Sequence, residues 1–343
     1  MKISWNHLQS FFADKLDKEF VLERLTMAGL EVEDETPVAP IFSGIVIGEV
    51  VECVKHPDAD KLSLCKVNVA EAEPLQIICG ASNVAVGVKV PCAKVGAVLP
   101  GDFKITERKM RGIVSYGMLC SGDEIGCPSG VDGLLLLDAD APVGKDVREY
   151  LDLNDTIVEF KITPNRGDCL SYRGLAREVA ALTGNALKPA VNTVNNLNKL
   201  SDALRLEVLA INECPHYVGL VINDIDNKIT SPDWLVRILE RSGVRSISPL
   251  VDIANYVMLV LGQPLHTFDL AKVASGVKVR MAASGEELKL IDASTAKLQT
   301  NTLIIADGEN KPVAIAGVMG SLDSGVSVDT TALLLESAFF APD

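Results

Sequence analysis

A change of residue pattern at Phe42 divides this chain into parts that cannot share one architecture. Before Phe42, apolar residues recur at helical spacing, whereas after it β-branched runs are broken by Gly, Asn, Asp and Pro over roughly 110 residues. The runs are Ile45–Val54, Leu64–Val69, Ile77–Cys79, Val88–Cys92 and Gly133–Leu137. Short strands separated by frequent turns predict a small β-barrel.

The first residues of the chain predict two short helices. Ser4 is placed to cap a helix over Trp5–Phe12, and Asp17 is placed to cap a second helix that Gly29 ends. Pro37 then marks a boundary before the barrel pattern begins.

The string Thr163–Ser171 predicts a rigid turn that leads into a helix. Pro164 fixes φ, Gly167 permits a bend, and Asp168 is placed to cap the helix that follows. Apolar residues then recur at helical spacing, at Leu175, Val179 and Leu182. Gly184 stands where a left-handed cap would end this helix.

Beyond a polar, Asn-rich stretch at residues 185–203, which predicts a linker, the pattern is that of a mixed α/β segment. Ser231 is placed to cap a helix that Gly243 closes. Strand patterns outside the barrel occur at Thr156–Ile162, Val277–Met281, Glu287–Ile291, Leu303–Ala306 and Leu333–Glu336.

The composition is that of a globular protein with two or three domains: 343 residues, of which 48% are hydrophobic and 23% charged. There is no apolar run of about 18 residues and no apolar signal-peptide core, so we expect a cytoplasmic protein without a membrane partner. The eight cysteines form no Cys-x-x-Cys pair and lack histidines at metal-ligand spacing. This pattern favours reduced thiols over a metal site.

The net charge of −14 argues against broad, charge-driven binding of nucleic acid, which needs Lys and Arg facing the phosphates. Within residues 39–148, 11 Lys and Arg stand against 14 Asp and Glu. A basic cluster does precede Gly112, at Lys104, Arg108, Lys109 and Arg111. These four residues either contact phosphates or form a solvated charged turn.

Three further strings contain candidate site residues. His266 lies two residues after Pro264 and shortly before Phe268 and Asp269. We therefore expect it to be held in place, as a structural or a catalytic residue. Gly317 and Gly320 allow backbone to approach a ligand closely. Glu336 ends an apolar strand and is either a carboxylate at a pocket rim or a buried acceptor.

These strings, in this order, resemble the bacterial phenylalanyl-tRNA synthetase β subunit. The resemblance is carried by Thr163-Pro-Asn-Arg-Gly-Asp-Cys-Leu-Ser171 with Arg173-Gly-Leu-Ala-Arg-Glu178, by Val54-Lys-His-Pro-Asp-Ala-Asp-Lys-Leu62 with Ser115-Tyr-Gly-Met-Leu-Cys-Ser121, by Gly262-Gln-Pro-Leu-His-Thr-Phe-Asp269, and by Ile315-Ala-Gly-Val-Met-Gly-Ser321 with Leu333-Leu-Leu-Glu-Ser-Ala338. It implies a tRNA-binding barrel of the oligonucleotide-binding (OB) type and an editing module that hydrolyses misacylated tRNA.

The resemblance also implies roles for these residues. His266 would lie in the editing pocket, Glu336 would recognise the hydroxyl of tyrosine, and the turn with Gly317 and Gly320 would shape the pocket wall. Two positions depart from the family pattern: Thr267 stands where alanine is usual, and Ser321 where a second glycine is usual. The serine predicts a slightly stiffer turn.

The implied architecture is an α+β multidomain chain. Residues 1–38 and 149–190 would form an N-terminal α+β domain that an OB-fold barrel at 39–148 interrupts, and a mixed α/β editing domain would follow at 204–343. The family's β subunit is much longer, so the chain corresponds to an N-terminal fragment with an incomplete editing domain. Because neither piece has enough apolar surface to fold alone, residues 1–38 should pack against residues 150–185.

The partners implied by the resemblance are tRNA and a synthetase α subunit, in an assembly of two α and two β subunits. ATP and magnesium would serve the whole ligase at the α subunit, and no metal or cofactor is expected in this chain, which has no Gly-x-x-x-x-Gly-Lys phosphate loop. Two alternatives are a free-standing tRNA-binding module and a hydrolase that deacylates tRNA in trans.

We predict weak tRNA affinity for this chain by itself. Its net charge of −14 opposes phosphate binding, and a whole synthetase would draw most of its affinity from other domains. An anisotropy titration with tRNA at about 0.15 M salt measures this affinity. A dissociation constant below about 1 μM would contradict the prediction and favour the free-standing binding module.

Overall fold

The computed structural model describes residues 1–127, 132–189, 204–273 and 275–342. The chain forms two compact units, which we call the framework unit (Met1–Asp34 with Val158–Asp343) and the inserted unit (Glu35–Ile157). Helices and sheets occur together, which confirms the predicted α+β class. In the part of the chain that the structure describes, no helix combines the length and the apolar character that crossing a bilayer requires.

The first elements are two capped helices between two strands: β1 (Lys2–Ser4), α1 (Trp5–Gln9), α2 (Lys18–Met27) and β2 (Glu31–Pro37). The predicted caps are confirmed, because Ser4 Oγ accepts from the backbone N–H of His7 and the Asp17 side chain accepts from that of Phe20, both at 3.1 Å. The first helix is shorter than predicted and ends at Gln9.

The inserted unit is built mainly from strands: β3 (Ser43–His56), β4 (Ala59–Asn68), β5 (Leu75–Cys79), β6 (Lys89–Leu99), β7 (Phe103–Lys104), β8 (Arg108–Met110), β9 (Ile113–Ser115) and β10 (Gly117–Leu119). It also contains a 3₁₀ turn at Asp123–Ile125 and the short α-helix α3 (Val147–Tyr150). Six strands form a sheet in the order β10-β6-β3-β4-β5, with β7 on β6, and β8 pairs with β9. Both faces of β3 are covered, because Ile45 and Ile47 belong to one apolar cluster while Val46 packs against another.

One predicted strand of the barrel, Gly133–Leu137, is absent; of these residues only Leu137 makes a bridge, to Lys89. The side chain of Asn83 explains the difference. Its amide donates to the carbonyl oxygen of Leu134 at 3.0 Å and accepts from the Leu134 N–H at 2.9 Å. An asparagine side chain thus satisfies the backbone groups that a neighbouring strand would otherwise bind.

The chain leaves the framework unit within β2 and returns within β11 (Thr156–Lys161), which lies between β1 and β2 in a three-stranded sheet. A tight turn at Pro164–Cys169 leads from β11 to α4 (Tyr172–Thr183), which ends at Gly184 in the predicted left-handed conformation, φ +76°.

One apolar cluster joins these elements and confirms the predicted packing of residues 1–38 against residues 150–185. Its buried members are Ile3, Trp5, Leu8, Phe12, Leu16, Val21, Leu22, Leu25, Leu30, Val158, Phe160, Cys169, Tyr172, Leu175, Ala176, Val179, Leu235, Leu239 and Leu259. The last three come from later in the chain, so this core also includes residues that the sequence placed in a separate domain. The three-part division of the chain stays a prediction.

The turn before α4 differs from the prediction in its capping residue. Ser171, not Asp168, caps the helix, and its Oγ accepts from the N–H of Gly174 at 3.0 Å. Asp168 lies within the preceding turn, too early in the chain to cap α4, and instead pairs with Arg166 at 3.1 Å. Arg166 also reaches Glu178 on α4 at 2.9 Å, so it ties the turn to the helix.

The remaining elements of the framework unit are β12 (Arg205–Val208), β13 (His216–Ile222), α5 (Asp233–Arg241), α6 (Pro249–Leu261), β14 (Leu265–Asp269), β15 (Gly276–Met281), β16 (Glu287–Lys289), β17 (Thr295–Lys297), β18 (Leu303–Asp307), β19 (Pro312–Ile315), β20 (Met319–Gly320) and β21 (Leu333–Phe339). They form sheets in the orders β12-β15-β18-β19-β20, β13-β21-β14 and β16-β17. The four strands predicted after residue 204 are present, whereas most of the predicted linker, residues 190–203, lies outside the described residues.

The predicted cap at Ser231 is wrong. Helix α5 starts at Asp233 after Pro232, and no side chain caps it. Ser231 donates instead to Asp252, a fully buried carboxylate that also accepts from Ser246 at 2.6 Å. Leaving a buried carboxylate without hydrogen-bond donors costs more free energy than leaving a solvated helix end uncapped. This difference explains why the Ser231 hydroxyl binds Asp252.

We predict that Gly174 tolerates no side chain. A Cβ atom at this position would lie 1.9 Å from the backbone oxygen of Asp168, so the backbone of the turn would have to move. Gly174→Ala should lower the free energy of unfolding by about 2 kcal/mol or more, as measured by urea denaturation.

Gly167→Ala is the matched control, because a Cβ atom at Gly167 would meet nothing within 4 Å. This variant should differ from the unchanged chain by less than about 0.5 kcal/mol. If the two variants proved equally stable, the close packing of the turn against the start of α4 would be refuted.

Candidate functional site

Two candidate residues from distant parts of the chain are paired across neighbouring strands. In the antiparallel ladder of β14 and β21, His266 stands directly opposite Glu336. Residues paired in this way project from the same face of a sheet, with their Cβ atoms about 5 Å apart. The register of the β14–β21 ladder therefore brings these two side chains close together.

Strand β14 is fixed at both ends. Near its start, the side-chain amide of Gln263 donates to the carbonyl oxygen of Ala338 at 3.1 Å. At its end, the buried carboxylate of Asp269 accepts from Thr330 Oγ1 at 2.8 Å and from the Ala271 N–H at 3.1 Å. These bonds hold β14 in register against β21 and so fix the place of His266.

The imidazole of His266 is packed on two sides. The ring of Phe268 meets it edge-on with centroids 4.5 Å apart, and a Cβ atom at Gly320 would lie 2.7 Å from its Nε2. Nε2 is buried without a hydrogen-bond partner among the described residues. Burial lowers the pKa of His266, so the ring is neutral at neutral pH and keeps one unbound polar atom for a ligand or water.

Glu336 is 6% exposed, and this burial raises the pKa of its carboxyl group to about 7. The phenol of Tyr217 on β13 donates a 3.0 Å hydrogen bond to Glu336 Oε2, which opposes the rise. Burial and the neighbouring Glu336 raise the pKa of Tyr217 well above its usual value, so the phenol keeps its proton. The Glu336 carboxyl group therefore gains or loses its proton near neutral pH, whereas the Tyr217 phenol beside it stays protonated.

Tyr217 was not among the residues singled out from the sequence. It lies 119 residues before Glu336, and it is the pairing of Gly219 with Glu336 that brings β13 alongside β21. Because side chains alternate between the two faces of a strand, Tyr217 and Gly219 lie on the same face of β13. The sequence alone does not indicate that β21 is the strand beside it.

The two candidate glycines have different surroundings. Gly320 packs directly against His266, as described above. Gly317 has a φ of +68°, and a Cβ atom there would lie 3.0 Å from the ring of Phe340. The departure at Ser321 also has a structural role, since its Oγ lies 2.7 Å from that of Ser324 and fixes the turn after Gly320.

A cavity of about 440 Å³ lies elsewhere in the framework unit, and neither His266 nor Glu336 lines it. Its lining residues are Asn227, Lys228, Ile229, Thr230, Ser231, Val236, Ser246, Ile247, Ser248, Pro249 and Val328. A single cavity shared by His266 and Glu336 stays a prediction.

The four basic candidate residues belong to the inserted unit, and all are exposed. Lys104 ends β7, Arg108 and Lys109 lie on β8, and Arg111 is in the turn that joins β8 to β9. Arg111 and Gly112 have positive φ angles of 48° and 91°, which is the geometry of a two-residue hairpin turn. The Arg108 guanidinium lies 5.9 Å from the centre of the Phe103 ring, so exposed charge and an exposed aromatic face lie together.

One group of potential metal ligands occurs among the described residues, formed by Asp168, Cys169 and Glu178, whose ligand atoms lie within 4.8 Å of one another. The Arg166 guanidinium donates to all three side chains. A cation is therefore already supplied by the protein, and the arrangement does not fit a metal ion.

Two family models match the chain. A model described as "Putative tRNA binding domain" matches residues 45–146, which lie in the inserted unit. A model described as "B3/4 domain" matches residues 213–343, which include His266 and Glu336. The two matches coincide with the two regions that hold the candidate residues.

Relatives match the chain over its whole length. The phenylalanine–tRNA ligase beta subunit of Chromobacterium violaceum is 52% identical over 344 residues, which cover 100% of this chain and 43% of that protein. The beta subunit of Dechloromonas aromatica is 50% identical over 343 residues, with the same shares covered.

A solved N-terminal fragment of the phenylalanyl-tRNA synthetase β-subunit from Pyrococcus horikoshii aligns with 58% of this chain and 65% of its own at 14% identity. Its TM-score of 0.34 is too low to bear on the fold.

The chain spans less than half the length of the curated relatives it matches. With half of its residues identical to theirs from end to end, it belongs to the family of bacterial phenylalanine–tRNA ligase beta subunits.

Proposed function

We propose that this chain is the part of a phenylalanine–tRNA ligase β subunit that carries an auxiliary tRNA-binding barrel and part of a site that hydrolyses tyrosyl-tRNA. The whole ligase joins phenylalanine to its tRNA with ATP. The observation that carries the editing proposal is the pairing of His266 with Glu336 on one sheet face, with Gly320 packed against the imidazole.

The chemistry of the two amino acids explains why such a site is needed. Tyrosine and phenylalanine differ by one hydroxyl group, and an apolar pocket cannot strongly exclude a ligand that merely adds a hydroxyl. A second, hydrolytic site that hydrogen-bonds the phenol can remove the wrong product, because its polar group would be left unpaired with phenylalanine.

In this proposal, Glu336 accepts the hydrogen bond from the phenol of the tyrosyl group. An ionised carboxylate is an acceptor without a proton of its own, and it forms a stronger bond to a hydroxyl than a neutral group does. His266 orients the ester end or the attacking water through its unbound ring nitrogen. The turn with Gly317 and Gly320 shapes the wall of the pocket, since Gly320 lets the imidazole of His266 pack closely and Gly317 does the same for the ring of Phe340.

The inserted unit is proposed to be an OB-fold barrel whose basic hairpin contacts tRNA phosphates. Lys104, Arg108, Lys109 and Arg111 are exposed, and Phe103 adds an aromatic face beside Arg108. The 14 acids of residues 39–148 outnumber the 11 basic residues, which supports an auxiliary role rather than an independent one.

The domain division 1–38 with 149–190, 39–148 and 204–343 is proposed as the organisation of the chain. Its partners would be tRNA and a ligase α subunit, in an assembly of two α and two β subunits. ATP and magnesium would be bound at the aminoacylation site of the α subunit. A role in translation would place the protein in the cytoplasm.

The two alternatives are less well supported. A free-standing tRNA-binding module would not need the segment that matches the B3/4 domain over residues 213–343. A hydrolase that acts on tRNA in trans would have to bind its substrate without a partner, which the net charge of −14 opposes.

Replacing Glu336 should impair editing selectively. In the assembled ligase, Glu336→Ala should lower the rate of tyrosyl-tRNA hydrolysis by about 10- to 100-fold, since a hydrogen bond to a buried charged group contributes about 1.5–3 kcal/mol. Aminoacylation with phenylalanine should stay within about twofold, because that reaction occurs at another site. Both rates are measured with radiolabelled amino acids.

The exposed Glu309 provides a matched control, and Glu309→Ala should leave both rates unchanged. Equal losses of hydrolysis and aminoacylation in Glu336→Ala would indicate a general structural defect and would refute the editing role.

The preference for tyrosine should depend on pH. The pKa of Glu336 is raised to about 7, so the carboxyl group is mostly neutral at pH 6 and mostly ionised at pH 8. The ratio of tyrosyl-tRNA to phenylalanyl-tRNA hydrolysis should therefore rise severalfold from about pH 6 to about pH 8. The uncatalysed hydrolysis of each ester, measured without the ligase at the same pH, is subtracted before the ratio is taken.

Glu336→Gln should abolish the pH dependence, because an amide has no proton to lose in this range. A ratio that did not change with pH in the unmodified ligase would rule out ionised Glu336 as the acceptor.

A further inference from the structure

Three neighbouring strands place a row of side chains on one sheet face. Strand β21 lies between β13 and β14, and Glu336 is opposite Gly219 on one side and opposite His266 on the other. Tyr217 lies two residues before Gly219, so it projects from the same face and reaches Glu336 diagonally.

The hydrogen bond from Tyr217 makes the two carboxylate oxygens of Glu336 inequivalent. The Tyr217 phenol donates to Oε2 at 3.0 Å, and a phenol has one proton to give. Oε1 therefore remains as the acceptor for another donor. A phenol from a ligand would repeat at Oε1 the contact that Tyr217 makes at Oε2.

We propose that Tyr217 is a positioning residue that sets the selectivity of this site, because its phenol holds the Glu336 carboxylate in one orientation and leaves one oxygen for the phenol of a tyrosyl ester. The inference rests on the proposed editing function and adds to it a residue on a third strand. Tyr217 acts through Glu336 and does not itself take part in the hydrolysis.

The other titratable groups that face Glu336 do not replace this bond. His266 is opposite it on β14 and has a pKa lowered by burial, so it carries no charge at neutral pH. Cys214 is fully buried, and burial, together with the nearby Glu336, raises the pKa of its thiol. Neither residue supplies a positive charge to the carboxylate, which makes the donor at Tyr217 important for its ionisation.

A purely structural role for Tyr217 would rest on its ring rather than on its hydroxyl. Tyr217 packs against the apolar cluster that holds Phe268 and Leu334, so its ring contributes to the core. Tyr217→Phe keeps the ring and removes only the donor. The two roles therefore predict different results for this variant.

The test compares Tyr217→Phe with the unmodified protein in the assembled ligase, using the ratio of tyrosyl-tRNA to phenylalanyl-tRNA hydrolysis between about pH 6 and pH 9. Without the donor, the Glu336 carboxyl group should titrate about one unit higher, so the ratio should fall about fivefold at pH 7 and recover by pH 9. Aminoacylation with phenylalanine should not change.

A second measurement is independent of catalysis. The ¹³C carboxyl resonance of Glu336, assigned by its loss in Glu336→Gln, should titrate at higher pH in Tyr217→Phe. Tyr150→Phe is the matched control, since it removes a phenol that donates to Asp138 at 3.0 Å in the inserted unit. The control should change neither the hydrolysis ratio nor the titration of Glu336.

The outcomes separate this inference from the function on which it rests. If the unmodified ligase does not favour hydrolysis of tyrosyl-tRNA, the proposed function is wrong and the inference falls with it. If the unmodified ligase does favour it while Tyr217→Phe keeps the same ratio, pH profile and titration of Glu336, the inference alone is overturned. A shifted profile together with a shifted titration supports it.

Discussion

Strand β21 is hydrogen-bonded on both edges, and the candidate site depends on that double pairing. Its partners β13 and β14 come from different parts of the chain, and each is paired with β21 in a continuous antiparallel register. A slip of one residue in either ladder would send the affected side chains to the opposite face. The Asp269 and Gln263 bonds at the ends of β14 are thus as important to the site as its polar groups.

The burial of Glu336 works against the stability of the fold when the group is charged. The change in its pKa from 4.5 to about 7 corresponds to a cost on the order of 3 kcal/mol for the ionised form at high pH. A glutamine of similar size would avoid this cost. The carboxylate has a compensating property that an amide lacks, which is the strength of the hydrogen bond that it accepts as an ion.

Local signals in the sequence were sufficient for several elements and insufficient for others. The caps at Ser4 and Asp17 and the left-handed end at Gly184 were predictable, because each depends on residues within one turn of the helix. The cap at Ser171 was missed, since Asp168 is an equally good capping residue by type and the sequence does not show that the turn continues to Cys169. Helix α6 was not predicted, because its sequence is mostly apolar and its amphipathic stripe is therefore weak.

The candidate site shows the same limit at longer range. His266, Gly320 and Glu336 were identified from their strings, but the sequence did not indicate that a fourth residue, Tyr217, joins them. Strand pairing over more than a hundred residues is a property of the whole sheet and not of any local pattern. For the same reason the false strand at Gly133–Leu137 could not be recognised without Asn83.

The path of the chain around the inserted unit has a consequence for how such a protein arises. The N–H of Val38 donates to the carbonyl oxygen of Asp155 at 3.0 Å, so the chain leaves and re-enters its parent sheet at adjacent points. With respect to that sheet, the residues between Val38 and Asp155 form a single long loop whose two ends are hydrogen-bonded to each other. The entropy of closing a loop grows only slowly with its length, so a short hairpin could be replaced by a whole folded segment without rebuilding the strands on either side. The gene could therefore have gained this segment in a single step.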